Sequence, residues 1–228
     1  MARVPRSWVI QEGATFHKVW RGHNKEWNLG EASEKLKYLN LLYEEKAKDT
    51  SPLRALCLMS NHTHEVYTLK NLPSFSNFMR RHHSRYGMYF NFKHKRCGKV
   101  AQDRPLTSQF ENEEHEMRAI FYIHANPLRA GICKDAKDYA WSTHKLYAFG
   151  VKPKWLKDNV VEFPQWYLDL GKTMEQRQKA YRQMFDRYLL EQGLRKQPLY
   201  IYGTGSPAWV LKRHKEISHR FRDYVNSA

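Results

Sequence analysis

The 228-residue sequence predicts an α+β fold, in which a β-sheet carries helices on one face. The first observation is a set of short apolar runs, rich in β-branched and aromatic residues and bounded by turn-forming residues. The second is a set of longer segments in which apolar residues recur at helical spacing. The third is the order of these segments, which alternates between the two kinds. The predicted strands span residues 15–22, 53–59, 62–69 and 103–110, and the predicted helices span residues 31–48, 74–92 and 113–126.

Local signals support the elements of the first half. The strand "TFHKVWRG" ends at Gly22, and the following helix repeats apolar side chains between charged ones. These apolar residues are Leu36, Leu39, Tyr43 and Ala47. The runs "LRALCLM" and "HTHEVYTL" are typical of two strands, and the polar turn "SN" joins them.

Capping signals support the elements that follow. The helix "SFSNFMRRHHSRYGMYFNF" is aromatic on one side and basic on the other, and "DRPLTSQF" is compatible with an extended strand. Asn112 is suited to cap the helix at 113–126, and three acidic residues follow it where the helix dipole favours them. Pro127 ends that helix.

The composition changes near residue 150, where we predict a domain boundary. Residues 1–150 form the predicted sheet domain, and residues 151–228 form a helical C-terminal extension. The extension holds a charged amphipathic helix at 173–194 and a basic helix that starts after Ser206, with Pro207 at its first position.

The charge balance indicates a polyanionic partner. Thirty-nine Lys and Arg residues against twenty-three Asp and Glu give a formal net charge of +16. Because cationic surfaces release counterions from phosphates, nucleic acid is the favoured partner, with an acidic membrane surface as the alternative. No window approaches the roughly 20 apolar residues of a membrane span, and the N-terminus has no apolar signal region. Three scattered cysteines fit a reducing cytoplasm.

Two histidines lie one residue apart in the predicted strand at 62–69. Side chains two residues apart on a strand point the same way, which places His62 and His64 about 7 Å apart on one face. Imidazole is a common metal ligand near neutral pH. The pair alone is compatible with a metal site or with two exposed or hydrogen-bonded histidines.

One stripe of the helix at 113–126 and its continuation combines a phenol with polar neighbours. At about 3.6 residues per turn, its members are His115, Arg118, Tyr122, Asn126 and Arg129. The plainer interpretation is that Tyr122 is a boundary residue with its hydroxyl in water. The alternative is a functional phenol flanked by an amide, an imidazole and two cations.

Several short motifs, in this order and spacing, resemble a known protein family. "RGHN" follows the first strand, "MSNHTHEVYTL" holds the two histidines, and "FYIHANPLRAGI" and "DYAWSTHKLY" lie downstream. Over roughly residues 10–150 the sequence resembles the single-tyrosine HUH (His-hydrophobic-His) endonucleases, and in particular the REP-associated tyrosine transposases.

This resemblance implies a ferredoxin-like antiparallel sheet and a covalent mechanism of DNA cleavage. Carried over to this sequence, Tyr122 is the nucleophile, and His62, His64 and Asn126 bind a divalent metal, Mg²⁺ or Mn²⁺. Tyrosine attack gives a 5′-phosphotyrosine and a free 3′-hydroxyl, while the metal offsets the charge that grows on the phosphate oxygens. The implied substrate is single-stranded or hairpin DNA of the REP type. His115 is a candidate acceptor for the phenolic proton.

Three features depart from the family pattern. Thr63 stands between the histidines where the family has an apolar residue, and Glu65 replaces another residue that is usually apolar. Both face away from the proposed ligands, which predicts either a solvated face or a face between elements. "KVAQDRPLTSQF" replaces a tryptophan-containing stretch, of which Arg104 is retained.

Basic residues outside the metal site are candidates for contact with DNA phosphates. They are Arg80, Arg81 and Arg85 on the helix at 74–92, Arg104, Arg118 and Arg129 closer to the site, and Lys212 and Arg213 in the extension. A solvated basic face is the alternative for the helix at 74–92. Candidates for base stacking are Tyr86, Tyr89, Phe90 and Phe92, some of which must be core residues.

The sequence thus favours a metal-dependent DNA strand transferase with a tyrosine nucleophile, located in a bacterial cytoplasm and associated with the nucleoid when bound to DNA. One alternative is a domesticated nucleic-acid-binding protein that keeps the fold without catalysis. Another is a metal hydrolase that uses water in place of Tyr122. The joint presence of His62, His64, Tyr122 and Asn126 favours the transferase, and the sequence is compatible with a monomer or a homodimer.

Overall fold

A four-stranded antiparallel sheet lies at the centre of the structure, a computed structural model that describes residues 4–193 and 202–226. Its strands are β1 (Thr15–Arg21), β2 (Leu53–Leu58), β3 (His62–Thr68) and β4 (Leu106–Gln109), in the spatial order β2-β3-β1-β4. One helix connects β1 to β2 and another connects β3 to β4, so the chain follows the βαββαβ order of ferredoxin-like folds. The predicted α+β fold and its four strands are confirmed.

The three long helices predicted for the first half are also present. They are α2 (Ala32–Lys46), α3 (Leu72–Lys93) and α4 (Glu113–His124). Short helices that the sequence did not predict are α1 (Arg6–Val9), α5 (Asn126–Arg129), α6 (His144–Phe149) and α7 (Gln165–Leu168). Asn112 caps α4 as predicted, since its side chain accepts a hydrogen bond from the His115 backbone N–H at 3.1 Å.

Helices cover both faces of the sheet. The layer of helices that the sequence predicts consists of α2 and α3. These two helices cover the face that carries Phe16, Trp20 and Tyr67. The opposite face carries Ala55 and Val66 and is covered by α4. The helix patterns predict a layer on one face only, because an amphipathic pattern identifies a buried stripe but not the sheet face that the stripe covers.

A tight turn between β2 and β3 sets the position of the first histidine. The Met59 backbone N–H donates to the His62 carbonyl at 2.8 Å, which closes a turn made by Ser60 and Asn61. The predicted "SN" turn is therefore confirmed. His62 follows the turn directly as the first residue of β3.

A buried ion pair lies on the sheet face opposite the histidines. Lys18 of β1 donates to Glu65 of β3 at 2.6 Å, and neither side chain is exposed to solvent. The carboxylate also accepts hydrogen bonds from the hydroxyls of Tyr38 (2.8 Å), Thr63 (2.9 Å) and Tyr67 (2.7 Å). Burial raises the pKa of this carboxylate, but Lys18, His82 and the Tyr67 hydroxyl outweigh it and hold the pKa below its usual value. Of the two predicted alternatives for this side of β3, the structure shows the face between elements.

The C-terminal extension contributes α8 (Met174–Gln192) and α9 (Pro207–Asn226). Tyr181 and Phe185 of α8 share a core with Phe121 of α4. Ser206 caps α9 as predicted, and its backbone N–H donates to Glu111 at 2.6 Å. Residue 194, the predicted end of the first of these helices, lies outside the described residues, and the boundary at residue 150 stays a prediction. None of the helices in the described ranges is long and apolar enough to cross a membrane.

Candidate functional site

His62 and His64 lie side by side on the face of β3 that α4 covers. Their ring centroids are 4.8 Å apart, and the ring planes are nearly perpendicular at 84°. His64 is buried, with 2% of its surface exposed, whereas His62 is half-buried. The Nδ1 atom of His62 lies 2.6 Å from Oδ1 of Asn61, which orients this ring against the turn. The predicted shared face is confirmed.

A third histidine supports this pair from the neighbouring strand. His17 of β1 lies diagonally across from His64, and its Nε2 is 2.8 Å from Nδ1 of His64. Burial lowers the pKa of His17 to about 3 and the pKa of His64 well below its usual value. Both rings are therefore neutral at physiological pH, and the hydrogen bond between them orients the ring of His64.

The sequence alone did not identify His17 and Arg21, which both lie on β1, as residues of the site. Strand alternation places both on one face of β1, so the signal for their common orientation was present. The missing information was that β1 pairs with β3, which brings Arg21 directly opposite His62. Only the three-dimensional pairing shows that these two residues belong to the site.

Tyr122 of α4 faces the histidines. Its ring centroid is 5.9 Å from that of His64, with the planes at 86°, and 9% of the residue is exposed. Burial raises the pKa of its hydroxyl, while Arg129 and Arg21 lower it. The structure thus places Tyr122 on the side of α4 that meets the sheet and not at an outer boundary.

The chain passes from α4 into α5 at Ala125, which keeps Asn126 and Arg129 beside the phenol. Asn126 is 8% exposed, and its Nδ2 has no hydrogen-bond partner among the described residues. The Arg129 guanidinium stands 4.7 Å from the centre of the Tyr122 ring. It donates to the Tyr122 carbonyl at 2.9 Å and to the Tyr188 hydroxyl at 3.0 Å. These contacts fix the cation over the phenol ring.

Both histidines of β3, the phenol and its two polar neighbours line one cleft of about 430 Å³. Its walls comprise Arg21, Lys25, Met59, Asn61, His62, His64, Tyr122, Asn126, Arg129 and Ala130. Three of these described residues carry a positive charge and none carries a carboxylate. A cleft lined by one sign of charge concentrates ions of the opposite sign, so this one is suited to a phosphate group.

The donor atoms of the cleft fit a divalent metal ion held by two imidazoles and one amide. The carbonyl oxygen of Asn126 is a hard ligand, whereas the imidazoles of His62 and His64 suit a transition metal better than Mg²⁺. Within residues 4–193 and 202–226, no group of three or more His, Cys, Asp or Glu side chains could hold a metal. In such a site the Asn126 amide would be the third protein donor, and water or phosphate oxygens would complete the coordination.

The N-terminal part of the predicted helix stripe does not reach the cleft. His115 lies about 10 Å along the helix axis from Tyr122, and its Nδ1 is 2.8 Å from Oδ1 of Asn112. Arg118 pairs with Glu114 at 3.1 Å on the outer side of α4. The structure therefore gives no support to His115 as the acceptor of the phenolic proton.

The predicted DNA-contacting arginines of α3 differ in their partners. Arg81 and Arg85 both pair with Glu45, at 2.7 and 2.8 Å, which offsets part of their charge. Arg80 is exposed and forms no ion pair with the described residues. Arg80 and Arg104 line a second cavity, described below. DNA contact by these four residues stays a prediction.

In the extension, Arg213 attaches α9 to the rest of the structure. Its guanidinium donates to the carbonyls of Val9 at 2.6 Å and Tyr202 at 3.1 Å, and burial lowers its pKa. Lys212 is exposed to solvent. Of the two predicted contacts in α9, the one by Lys212 is therefore better placed for DNA.

The aromatic candidates for base stacking also differ in their exposure to solvent. Tyr86 and Phe90 are core residues, and Tyr89 is half-buried. Phe92 is 88% exposed. Of the four, Phe92 therefore offers the largest exposed surface to a base.

Comparison with solved structures identifies the fold. The chain is similar to a structure described as "Structure of the REP associates tyrosine transposase bound to a REP hairpin", with a TM-score of 0.55 and 21% sequence identity. The match covers 72% of this chain and 95% of that chain. No protein-family model matches the sequence, and no curated protein matches it significantly. The chain therefore shares the fold of this structure, in agreement with the fold that the sequence motifs predicted.

Proposed function

We propose that the protein cleaves and rejoins single-stranded or hairpin DNA through a covalent 5′-phosphotyrosine on Tyr122, with a divalent metal bound by His62, His64 and Asn126. The observation that carries this proposal is the convergence of these four side chains in one cationic cleft. Two further facts support it. The structural relative is bound to a REP hairpin, and the net charge of +16 has the sign that DNA requires.

The reaction conserves the number of phosphoester bonds. The Tyr122 hydroxyl oxygen forms a bond to phosphorus while the bond from phosphorus to the 3′ oxygen breaks. The phenol loses one proton and the departing 3′ oxygen gains one, so the protons balance. A bound metal would polarise the phosphate and offset the charge that grows on its oxygens. Attack by the 3′-hydroxyl on the phosphotyrosine reverses the step and rejoins the strand.

Arg129 and Arg21 favour the reactive form of the nucleophile. A phenol with a pKa near 10 is a weak nucleophile at neutral pH, and burial of Tyr122 raises its pKa. The two guanidinium groups oppose this increase, because they stabilise a negative phenolate. They are also positioned to bind the phosphate, because it is negatively charged like the phenolate.

A covalent adduct tests the proposal. Incubation with Mn²⁺ and a single strand that contains a REP-like hairpin is expected to give a protein–DNA adduct on a denaturing gel. The adduct is expected to be absent from Tyr122→Phe and present in the matched control Tyr188→Phe. The Tyr188 hydroxyl binds the same Arg129 but does not line the cleft. Mass spectrometry of the adduct is then expected to locate the nucleotide on the peptide that contains Tyr122.

Other outcomes separate the alternative functions. Cleavage that persists in Tyr122→Phe would contradict the proposal and indicate an activated water. DNA binding without cleavage under any divalent ion would favour a non-catalytic binding protein.

A further inference from the structure

A second cavity, of about 550 Å³, lies on the sheet face that is turned away from the cleft. Adjacent residues of β1 separate the two, since Arg21 lines the cleft and Trp20 lines the second cavity. We name the latter the Arg6 pocket. Its walls include Arg6, Trp20, Met79, Arg80, His83 and Arg104.

The Arg6 pocket concentrates positive charge. Among the described residues that line it, three arginines stand against one carboxylate, that of Asp103. Arg6 is held in place by a hydrogen bond to the Ser76 hydroxyl at 3.3 Å. Burial and the nearby Arg104 lower the pKa of Arg6 to about 10. Because Arg6 and Arg104 repel each other, an anion between them would offset an unfavourable interaction.

Trp20, which also lines the pocket, has a hydrogen-bond donor without an acceptor in the described part of the chain. It is 1% exposed, and its Nε1 has no hydrogen-bond partner among the described residues. His83 lies parallel to the indole, with ring centroids 5.2 Å apart and planes at 2°, and keeps the indole in position. A buried N–H without an acceptor costs about 1–3 kcal/mol, so native structures rarely leave one unpaired. A ligand with an acceptor oxygen would satisfy it.

The pocket is larger than one phosphate group and partly apolar. Its volume of about 550 Å³ lies within the range of about 300–1,000 Å³ that is typical of small-molecule sites. Leu72, Met79 and Pro105 contribute apolar surface to it. An anionic group attached to a flat apolar ring system matches both parts of this lining, and a nucleotide has that composition.

We propose that the Arg6 pocket binds one nucleotide of single-stranded DNA that flanks the cleavage position. Arg6, Arg80 and Arg104 hold its phosphate, Trp20 donates to an acceptor oxygen, and the base lies on the apolar wall. This inference rests on the proposed function, because it takes DNA as the substrate. The bound nucleotide is not the one that is cleaved, since the sheet separates the pocket from Tyr122.

Binding of two hairpins tests the inference. One fluorescent DNA hairpin has blunt ends, and the other carries single-stranded extensions at both ends. Affinity is measured by fluorescence anisotropy in EDTA on a Tyr122→Phe background, so that neither metal nor cleavage contributes. Arg6→Gln and Arg80→Gln are each expected to weaken binding of the extended hairpin by about tenfold. Each is also expected to reduce the slope of log affinity against log salt concentration by about 1, the contribution of one phosphate contact. Binding of the blunt hairpin is expected to fall no more than in the control.

The matched control is Arg187→Gln, which removes an exposed arginine of α8 outside the pocket. Because Arg6 is largely buried, circular dichroism verifies folding, and the exposed Arg80 provides a variant that does not disturb the core. Trp20→Phe keeps an aromatic ring but removes the donor, and it too is expected to weaken binding of the extended hairpin selectively. Equal losses for the two hairpins, losses no larger than in Arg187→Gln, or binding of neither hairpin would overturn the inference.

The adduct experiment distinguishes this inference from the proposed function. Loss of extension-dependent binding in the pocket variants, together with no adduct on Tyr122 in the wild type, would refute the catalytic proposal and retain the pocket. An adduct on Tyr122 without extension-dependent binding would do the reverse.

Discussion

Glu65→Gln removes one charge from the buried ion pair and is expected to destabilise the protein strongly at pH 7. The remaining Lys18 ammonium is fully buried and would have to lose its proton. Neutralising a lysine with an ordinary pKa of about 10.4 costs about 5 kcal/mol at pH 7, which sets the upper limit. Because breaking a buried pair typically costs about 3–5 kcal/mol, we expect a loss in that range.

Lys18→Met is expected to cost less. Neutralising a glutamate at pH 7 costs about 4 kcal/mol at most, since its ordinary pKa is about 4.3. The Glu65 carboxylate would also keep its hydrogen bonds from Tyr38, Thr63 and Tyr67. The two single variants should therefore differ, with Glu65→Gln the less stable.

Urea denaturation followed by circular dichroism measures these free energies of unfolding. In Glu65→Gln the buried Lys18 has a lowered pKa, so the unfolded chain binds more protons than the folded one at pH 7. The stability deficit relative to the wild type is therefore expected to narrow as the pH rises from 7 to 9. The slope cannot exceed about 1.4 kcal/mol per pH unit.

A surface pair supplies the matched control. Glu44 is 52% exposed and pairs with Arg85, so Glu44→Gln is expected to cost less than about 1 kcal/mol. The double variant Lys18→Met/Glu65→Gln is expected to recover most of the stability, because it leaves no lone charge and keeps an acceptor oxygen for the buried hydroxyls. A loss below about 1 kcal/mol for Glu65→Gln, or a deficit that does not change with pH, would refute this account of the ion pair.

Three further predictions concern pH, metal and rate. Burial raises the pKa of Glu116 from 4.5 to about 7, so the wild type loses stability as the pH rises through this interval. Glu116→Gln is therefore expected to be more stable than the wild type in urea at pH 8, by up to about 3 kcal/mol, and equal to it at pH 4. The exposed Glu114→Gln, which removes a charge from the same helix turn but only a surface pair with Arg118, should show no such gain. His17→Gln is expected to weaken Mn²⁺ binding, followed by electron paramagnetic resonance, by about 10- to 100-fold, and an unchanged affinity would separate His17 from the metal site. Arg21→Gln is expected to raise the pKa of Tyr122, so that adduct formation slows at pH 8 and recovers at higher pH; a pH profile identical to that of the wild type would argue against this role.

The elements of the fold could be predicted because each one carries a local signal. The "SN" turn is closed by a backbone hydrogen bond between residues three apart. The Asn112 and Ser206 side chains also cap backbone N–H groups three residues ahead. The common orientation of His62 and His64 is likewise a property of one strand. These features require no knowledge of how distant parts of the chain meet.

Contacts between elements could not be predicted in the same way. His17 supports His64, and Lys18 neutralises Glu65, because β1 pairs with β3 in one particular register. A helical stripe also shows which residues share a side, but not which part of it reaches the sheet. His115 was therefore expected at the site, although the stripe meets the cleft only at its C-terminal end.

The buried ion pair has a consequence for the accuracy of the site on the other side of the sheet. A slip of β3 by one residue would turn every side chain of the strand to the opposite face. Glu65 would then enter a cleft suited to phosphate, and the imidazoles would be buried beside the ammonium of Lys18. Both errors are electrostatically unfavourable, so the pair selects a single alignment of β1 and β3. Transplanting the His62–His64 motif into another ferredoxin-like protein would therefore require the residues on both faces of the strand, together with a lysine that neutralises the buried glutamate.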